Sequence, residues 1–190
     1  MQHKDIRDYG SNNAGLTNVL RVFGKGPAVA TLLCDLAKGV LAVVICRLVV
    51  TNGFGVTFFH DDKFIGYLAG FFVMLGHIFP VFYGFHGGKG VLIAATTLIA
   101  IDPLTCAFSV AVFAIVLAAT KYVSVGSICA AIAYPVFTPI VQLFIIKGDG
   151  VLANTLMATA IGLLIIYMHR PNIKRLMNGT ENKFGSKKKA

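Results

Sequence analysis

The chain has 190 residues, 56% of them hydrophobic and 13% charged, with a formal net charge of +9 and a mean hydropathy of +0.77. That balance excludes a water-soluble globular domain and places the chain among all-α integral membrane proteins, as a single membrane domain over 1–190. The cations flank apolar segments, so the positive charge suits phosphate-bearing ligands or anionic lipid heads, and nucleic acid is not expected as a partner.

Residues 1–26 are polar and read as a motif-bearing segment on one membrane face, without the pattern of a cleavable signal peptide. Within them YGSNNAGLTNVLRVFG is dense in small polar residues and then turns apolar. Ser11, Asn13, Thr17 and Asn18 offer hydroxyl and amide groups, and Arg21 offers a planar fork suited to phosphate. The other reading of this stretch is a polar interfacial loop with a helix cap. An apolar run over 27–50 follows, with Pro27 near its start, and can span the roughly 30 Å hydrocarbon core. It carries Asp35 and Lys38, whose i,i+3 spacing lets them neutralise one another, as a structural pair or in contact with a site.

The run 64–83 is the second span, and its Gly66-x-x-x-Gly70 allows close helix approach. His77, near its end and at membrane depth, is either a structural hydrogen-bonding residue or part of a site. GHIFPVFYGFHGGKG then closes the run with His86, Gly87, Gly88, Lys89 and Gly90. Glycines let backbone N–H groups converge on an anion, and Lys89 adds a point charge. The alternative is a turn with a snorkelling lysine; the spacing is not that of a Walker loop.

The run 90–101 is only about 18 Å of helix, too short to span unaided. With Asp102-Pro103 as a break it reads as a half-helix, followed by spans over 103–120, 123–146 and 151–168. Irregular backbone at that depth needs protein or a watery cavity around it, which is itself a hint of a site. Ser124 and Ser127 lie at the start of their span, where bonding back to the helix is the alternative to lining a site. The bundle of six transmembrane or partly spanning helices occupies 27–168. After it, 169–190 forms a basic tail in which His169, Asn172 and Arg175, at helical spacing, can face back towards the bundle; the other reading is an ordinary juxtamembrane segment. The four cysteines all lie in apolar segments and read as small buried hydrophobes. No metal or cofactor motif is present, nor a Ser-His-Asp arrangement.

Six segments put 1–26, 84–89, 121–122 and 169–190 on one side, with most of the cations, and the acidic 51–63, 102 and 147–150 on the other. The positive-inside rule makes the cationic side cytoplasmic.

In order and spacing, GSNNAGLTNVLR, GHIFPVFYGFHGGKG and HRPNIKRLMNGTENKF, with DLAKG and KYVSVGSI, resemble the bacterial acyl-phosphate-dependent glycerol-3-phosphate acyltransferases, the PlsY family. The resemblance covers nearly the whole chain. It implies transfer of a fatty acyl group from acyl phosphate to the 1-hydroxyl of glycerol 3-phosphate, giving 1-acyl-glycerol 3-phosphate for phospholipid synthesis. The reaction belongs at the cytoplasmic face of the inner membrane, among membrane lipids and linked to the enzyme that makes acyl phosphate. The implied catalytic set is Ser11, Arg21, Lys89, His169 and Asn172. The implied substrate-binding set is Asn13, Thr17, Asn18, His77, His86, Gly87, Gly88, Gly90, Ser127 and Arg175.

Three features depart from the family. The family usually has seven helices, one of them before the first motif, and this chain starts where that helix has already ended, which implies a late start or a fragment. Asn12 stands where glycine is common, and His86 where lysine is common, making phosphate binding pH-sensitive. Two other readings remain open from sequence: a transporter or channel for phosphate-bearing solutes, whose sign is flux in liposomes without acyl phosphate, and an inactive truncated paralogue, whose sign is failure to bind glycerol 3-phosphate.

Overall fold

The computed structural model describes residues 4–185, so the last residues of the basic tail, 186–190, lie outside the description. Its order is α1 (Leu16–Phe23), α2 (Lys25–Arg47), α3 (Lys63–Ile78), α4 (Val91–Ile101), α5 (Pro103–Thr120), α6 (Val123–Ile140), α7 (Val151–Met168) and α8 (Arg170–Met177). Wider π turns, Leu48–Gly53 and Val141–Ile146, prolong α2 and α6. Among the described residues, five helices are long and apolar enough to cross a bilayer when counted with these extensions and, for α3, with the 3-10 turn Val81–Tyr83 that follows it; α4 is a shorter apolar helix.

Chain chemistry sets the boundaries. Gly24, at φ 84°, separates α1 from α2, and Pro27 sits in the first turn of α2, where its missing N–H costs nothing. Asp102 caps α5 by accepting from Thr105 N at 3.1 Å, with Pro103 next in the first turn. The half-helix expected over 90–101 is therefore α4, ended by this cap and proline. The expected spans 103–120 and 151–168 coincide with α5 and α7, and 123–146 with α6 and its π turn. Two short helices, α1 and α8, form where the sequence reads as a polar segment and a tail.

The described chain forms two units. The first comprises 4–57 with Ile65–Ile101. Its helices meet across glycines: a Cβ on Gly39 of α2 would overlap Thr96 Oγ1 of α4. On α3, a Cβ at Gly66 would lie 2.9 Å from Ile101 Cγ1, and one at Gly70 3.1 Å from Thr97 Oγ1. The Gly66-x-x-x-Gly70 face thus seats α4, as small-residue packing requires. Tyr67, Met74 and Ile93 are fully buried in this core.

The second unit comprises Phe58–Phe64 with 102–185. Pro135 removes the donor that Ala131 O would otherwise bond within α6. Gly162 of α7 fits against that carbonyl, so closely that a Cβ would lie 2.5 Å from it. At the opposite end from His169 runs a buried polar chain that sequence reasoning missed. Asp102 Oδ2 accepts from Gln142 Nε2 at 3.2 Å, Gln142 Oε1 accepts from Asn154 Nδ2 at 3.0 Å, and the same Nδ2 donates to Asp61 Oδ2.

Candidate active site

In the first unit the polar segment before α1 folds around Asn18. This side chain is 3% exposed. Its Oδ1 accepts from Ser11 N at 2.9 Å, and its Nδ2 donates to Tyr9 O at 3.0 Å and Asn13 O at 2.9 Å. Asn18, expected to bind substrate, is thus a structural pin: both ends of its amide are committed to backbone. Gly10, at φ 66°, allows this, because any Cβ there would collide with Asn18 Oδ1. Asn12 adopts φ 54°, the left-handed turn that glycine usually provides, and its Nδ2 donates to Arg7 O at 2.7 Å.

The pinned segment reaches the glycine loop. Asn13 Oδ1 accepts from Gly15 N at 2.9 Å, while its Nδ2 donates to Gly87 O at 3.3 Å. Arg7, missed by sequence reasoning, donates to His86 O at 3.4 Å and lies 4.4 Å from the Tyr83 ring centroid. It also pairs with Asp5 at 2.6 Å, and that hydrogen-bonded pairing holds the Asp5 carboxyl below its ordinary value. Ser11 is half-buried, and its hydroxyl has no partner among the described residues. Arg21, in the last turn of α1, is exposed and makes no ion pair among the described residues; Thr17 is half-buried one turn earlier.

The glycine loop turns tightly against the end of α3. Gly87 N donates to Ile78 O at 3.0 Å and Gly88 N to His77 O at 3.1 Å. At Gly87 and Gly88 the expected anion cradle is corrected, because these two amides point inward to these carbonyls. The glycines serve close approach instead: a Cβ on Gly87 would overlap His77 O, and one on Gly88 would overlap His77 Nε2. Lys89 is half-buried, and buried Gly90, at φ 81°, leads into the N-terminus of α4. His86 is exposed, its ring Nδ1 donating to Gly84 O at 2.5 Å. His77 Nδ1 lies 2.8 Å from Lys38 Nζ, which also pairs with Asp35 Oδ1 at 2.6 Å. The pair expected from the sequence is therefore a trio.

In the second unit His169 stands at the α7–α8 junction, 3% exposed. Its Nδ1 donates to Ile165 O at 2.8 Å, which makes Nε2 the acceptor nitrogen of the neutral ring. Asn172, one turn on, donates from Nδ2 to Glu181 Oε1 at 2.7 Å, and Arg175 Nε donates to Glu181 Oε2 at 2.6 Å. The tail therefore folds back on α8, and Phe184 N extends the contact to Lys121 O at 2.7 Å. Burial pushes the Glu181 carboxyl up. Hydrogen bonds from Asn172 and Arg175 outweigh burial and hold it below the usual carboxylate range. Arg175, expected on substrate, has its Nε on this carboxylate. Ser127 is buried and donates to Val123 O at 2.9 Å, so the back-bonding alternative is the one realised. Glu181 carried a signal that went unused, as a lone acid in a cationic tail.

Comparison with known proteins identifies the family. A family model described as "Glycerol-3-phosphate acyltransferase" matches residues 1–179. A protein of that name from Clostridioides difficile is 43% identical over 97% of this chain and 84% of its own. One from Paraburkholderia phymatum is 42% identical over 98% and 82%. A crystal structure of PlsY (YgiH), an integral membrane glycerol 3-phosphate acyltransferase in its glycerol 3-phosphate form, is 37% identical with a TM-score of 0.78. It is matched over 96% of this chain and 84% of that one. The lysophosphatidic acid form of the same enzyme gives a TM-score of 0.74. The chain is a multi-pass integral membrane protein, and it belongs to the glycerol-3-phosphate acyltransferase family.

Proposed function

We propose that the acyl donor is an acyl phosphate and that the acceptor is the 1-hydroxyl of glycerol 3-phosphate, with transfer at the cytoplasmic face. The observation that carries this reading is the Asn13–Gly87 bond, 3.3 Å long, which joins the Ser11–Arg21 segment to the Lys89 loop within one unit. Ser11, Arg21 and Lys89 then supply a hydroxyl and two cations to a phosphoryl group. His169 and Asn172 position the glycerol phosphate, and the Glu181 carboxylate holds Asn172.

An acyl phosphate is a mixed anhydride with a good leaving group, so alignment and charge stabilisation suffice. The 1-hydroxyl oxygen attacks the acyl carbon, the bond from that carbon to the phosphate oxygen breaks, and inorganic phosphate leaves. A phosphate oxygen takes the hydroxyl proton, a step that needs no protein base.

Family membership displaces the transporter alternative raised by the sequence. The donor assignment is tested by supplying purified enzyme and glycerol 3-phosphate with acyl phosphate or, separately, acyl-CoA. The expected outcome is product from acyl phosphate alone; equal product from acyl-CoA overturns the assignment. For the cation roles, Arg21→Ala and Lys89→Ala are each expected to lower kcat/KM for glycerol 3-phosphate by about tenfold or more. A change of about threefold or less removes the residue from the phosphate-binding set.

A further inference from the structure

A cation in the middle of an apolar span requires a reason. Lys38 stands about 20 Å along α2 from Lys25. With its π turn this helix covers Lys25–Gly53, about 43 Å against a hydrocarbon core of roughly 30 Å. Lys38 is therefore at membrane depth, where an ammonium facing lipid is strongly unfavourable.

Its surroundings are built. Asp35 Oδ1 lies 2.6 Å from Lys38 Nζ and His77 Nδ1 2.8 Å from it, while His77 Nδ1 and Asp35 Oδ1 are 3.7 Å apart. Asp35 and His77 are nearly buried, with side chains 7% and 11% exposed, whereas the Lys38 side chain is 43% exposed. An ammonium has three N–H donors. Asp35 and His77 take two, and the third has no acceptor among the described residues. With Nδ1 accepting from Lys38, the neutral imidazole carries its hydrogen on Nε2, the atom against which Gly88 packs. The same ring thus holds the Lys38 head and supports the loop that presents Lys89.

A structural ion pair accounts for Asp35 and Lys38 neutralising one another. It does not account for an ammonium fixed on two sides and open on the third, next to a loop that carries a second cation. We propose that Lys38 is a substrate-binding residue whose third N–H contacts a phosphoryl oxygen, with Asp35 and His77 as positioning residues. This rests on the phosphoryl-binding role proposed above for Lys89 of the glycine loop. The phosphoryl group belongs either to glycerol 3-phosphate or to the acyl donor, and separate titrations of the two substrates distinguish them.

The experiment compares Lys38→Met with the double variant Asp35→Asn/Lys38→Met in the detergent-purified chain of 190 residues. A single loss strands a buried carboxylate, whereas the double variant removes both charges. The expected double variant keeps the wild-type melting temperature and loses about tenfold or more in kcat/KM, through KM for one substrate. Recovery to within about threefold for both substrates marks a structural pair and overturns the proposal. His77→Asn, which places an amide oxygen near the position of Nδ1, is expected to keep more activity than His77→Gln; the reverse order removes His77 from the positioning role. Should the charge variants fail to fold, amine-reactive labelling of wild-type protein decides. Glycerol 3-phosphate or inorganic phosphate is expected to slow modification of Lys38 relative to Lys63, and equal rates overturn the proposal. A wild-type enzyme that uses acyl-CoA but not acyl phosphate sinks the donor reading alone, since the glycerol 3-phosphate titration still reads Lys38.

Discussion

Glu181 gathers Asn172 and Arg175 at 2.7 and 2.6 Å, and its side chain is 7% exposed. Its carboxyl titrates lower folded than unfolded, although burial alone pushes the other way. The sign follows from linkage. A depressed carboxyl contributes stability that is fully present above its unfolded value, about 4.3, and is lost as pH falls through the folded value. The tail is therefore expected to undock from α8 below about pH 4, with faster hydrogen exchange at Asn172 and Phe184, while Glu181→Gln shows the same fast exchange at neutral pH. An exchange rate unchanged between wild type and Glu181→Gln at pH 7 contradicts the clasp. Gly87 makes a second residue-scale case. A Cβ there meets His77 O, a backbone atom that cannot rotate away. Gly87→Ala is expected to cost about 1–3 kcal/mol in thermal unfolding, together with a loss of activity, because the loop shifts to relieve the overlap.

The helices themselves were legible where their chemistry is local. Apolar length marks α5 and α7, and Asp102-Pro103 ends α4 by a cap and a missing donor. Long-range pairing was not legible. Nothing near Asn154 in the sequence announces Asp61, 93 positions away. Asn18 looked like a ligand because composition reveals polarity and not the partner that satisfies it. The chain from Asp61 through Asn154 and Gln142 to Asp102 ties the 58–64 loop and the end of α6 to the starts of α5 and α7. Asn154→Leu leaves Asp61 Oδ2 and Gln142 Oε1 without this donor while burying both. The expected loss is about 2–5 kcal/mol, read as a lower melting temperature in detergent. A second variant, Asn154→Asp, adds a negative charge between acceptors and is expected to melt lower still. Equal stability of Leu and wild type would show that the buried chain contributes nothing.

At the scale of the whole molecule, the second unit separates charge between its two ends. Arg170, Lys174 and Arg175 crowd the α7–α8 end of the second unit, while Asp61, Asp62 and Asp102 mark its other end. The translocation machinery retains cations on the cytoplasmic side, so the α8 end, with His169 and Asn172, is expected to face the cytoplasm. That orientation matches the chemistry, because glycerol 3-phosphate is a charged, water-soluble acceptor that reaches the enzyme from an aqueous compartment. The expectation is testable with single cysteines at Lys174 and at Asp62, both exposed, on a background in which Cys34, Cys46, Cys106 and Cys129 are replaced. A membrane-impermeant maleimide added to intact cells is expected to label the Asp62→Cys protein and to leave Lys174→Cys unlabelled until the membrane is opened. Inverted vesicles are expected to show the opposite order. Labelling of Lys174→Cys in intact cells would turn the molecule over and place the basic tail, with His169 and Asn172, on the side away from the cytoplasm.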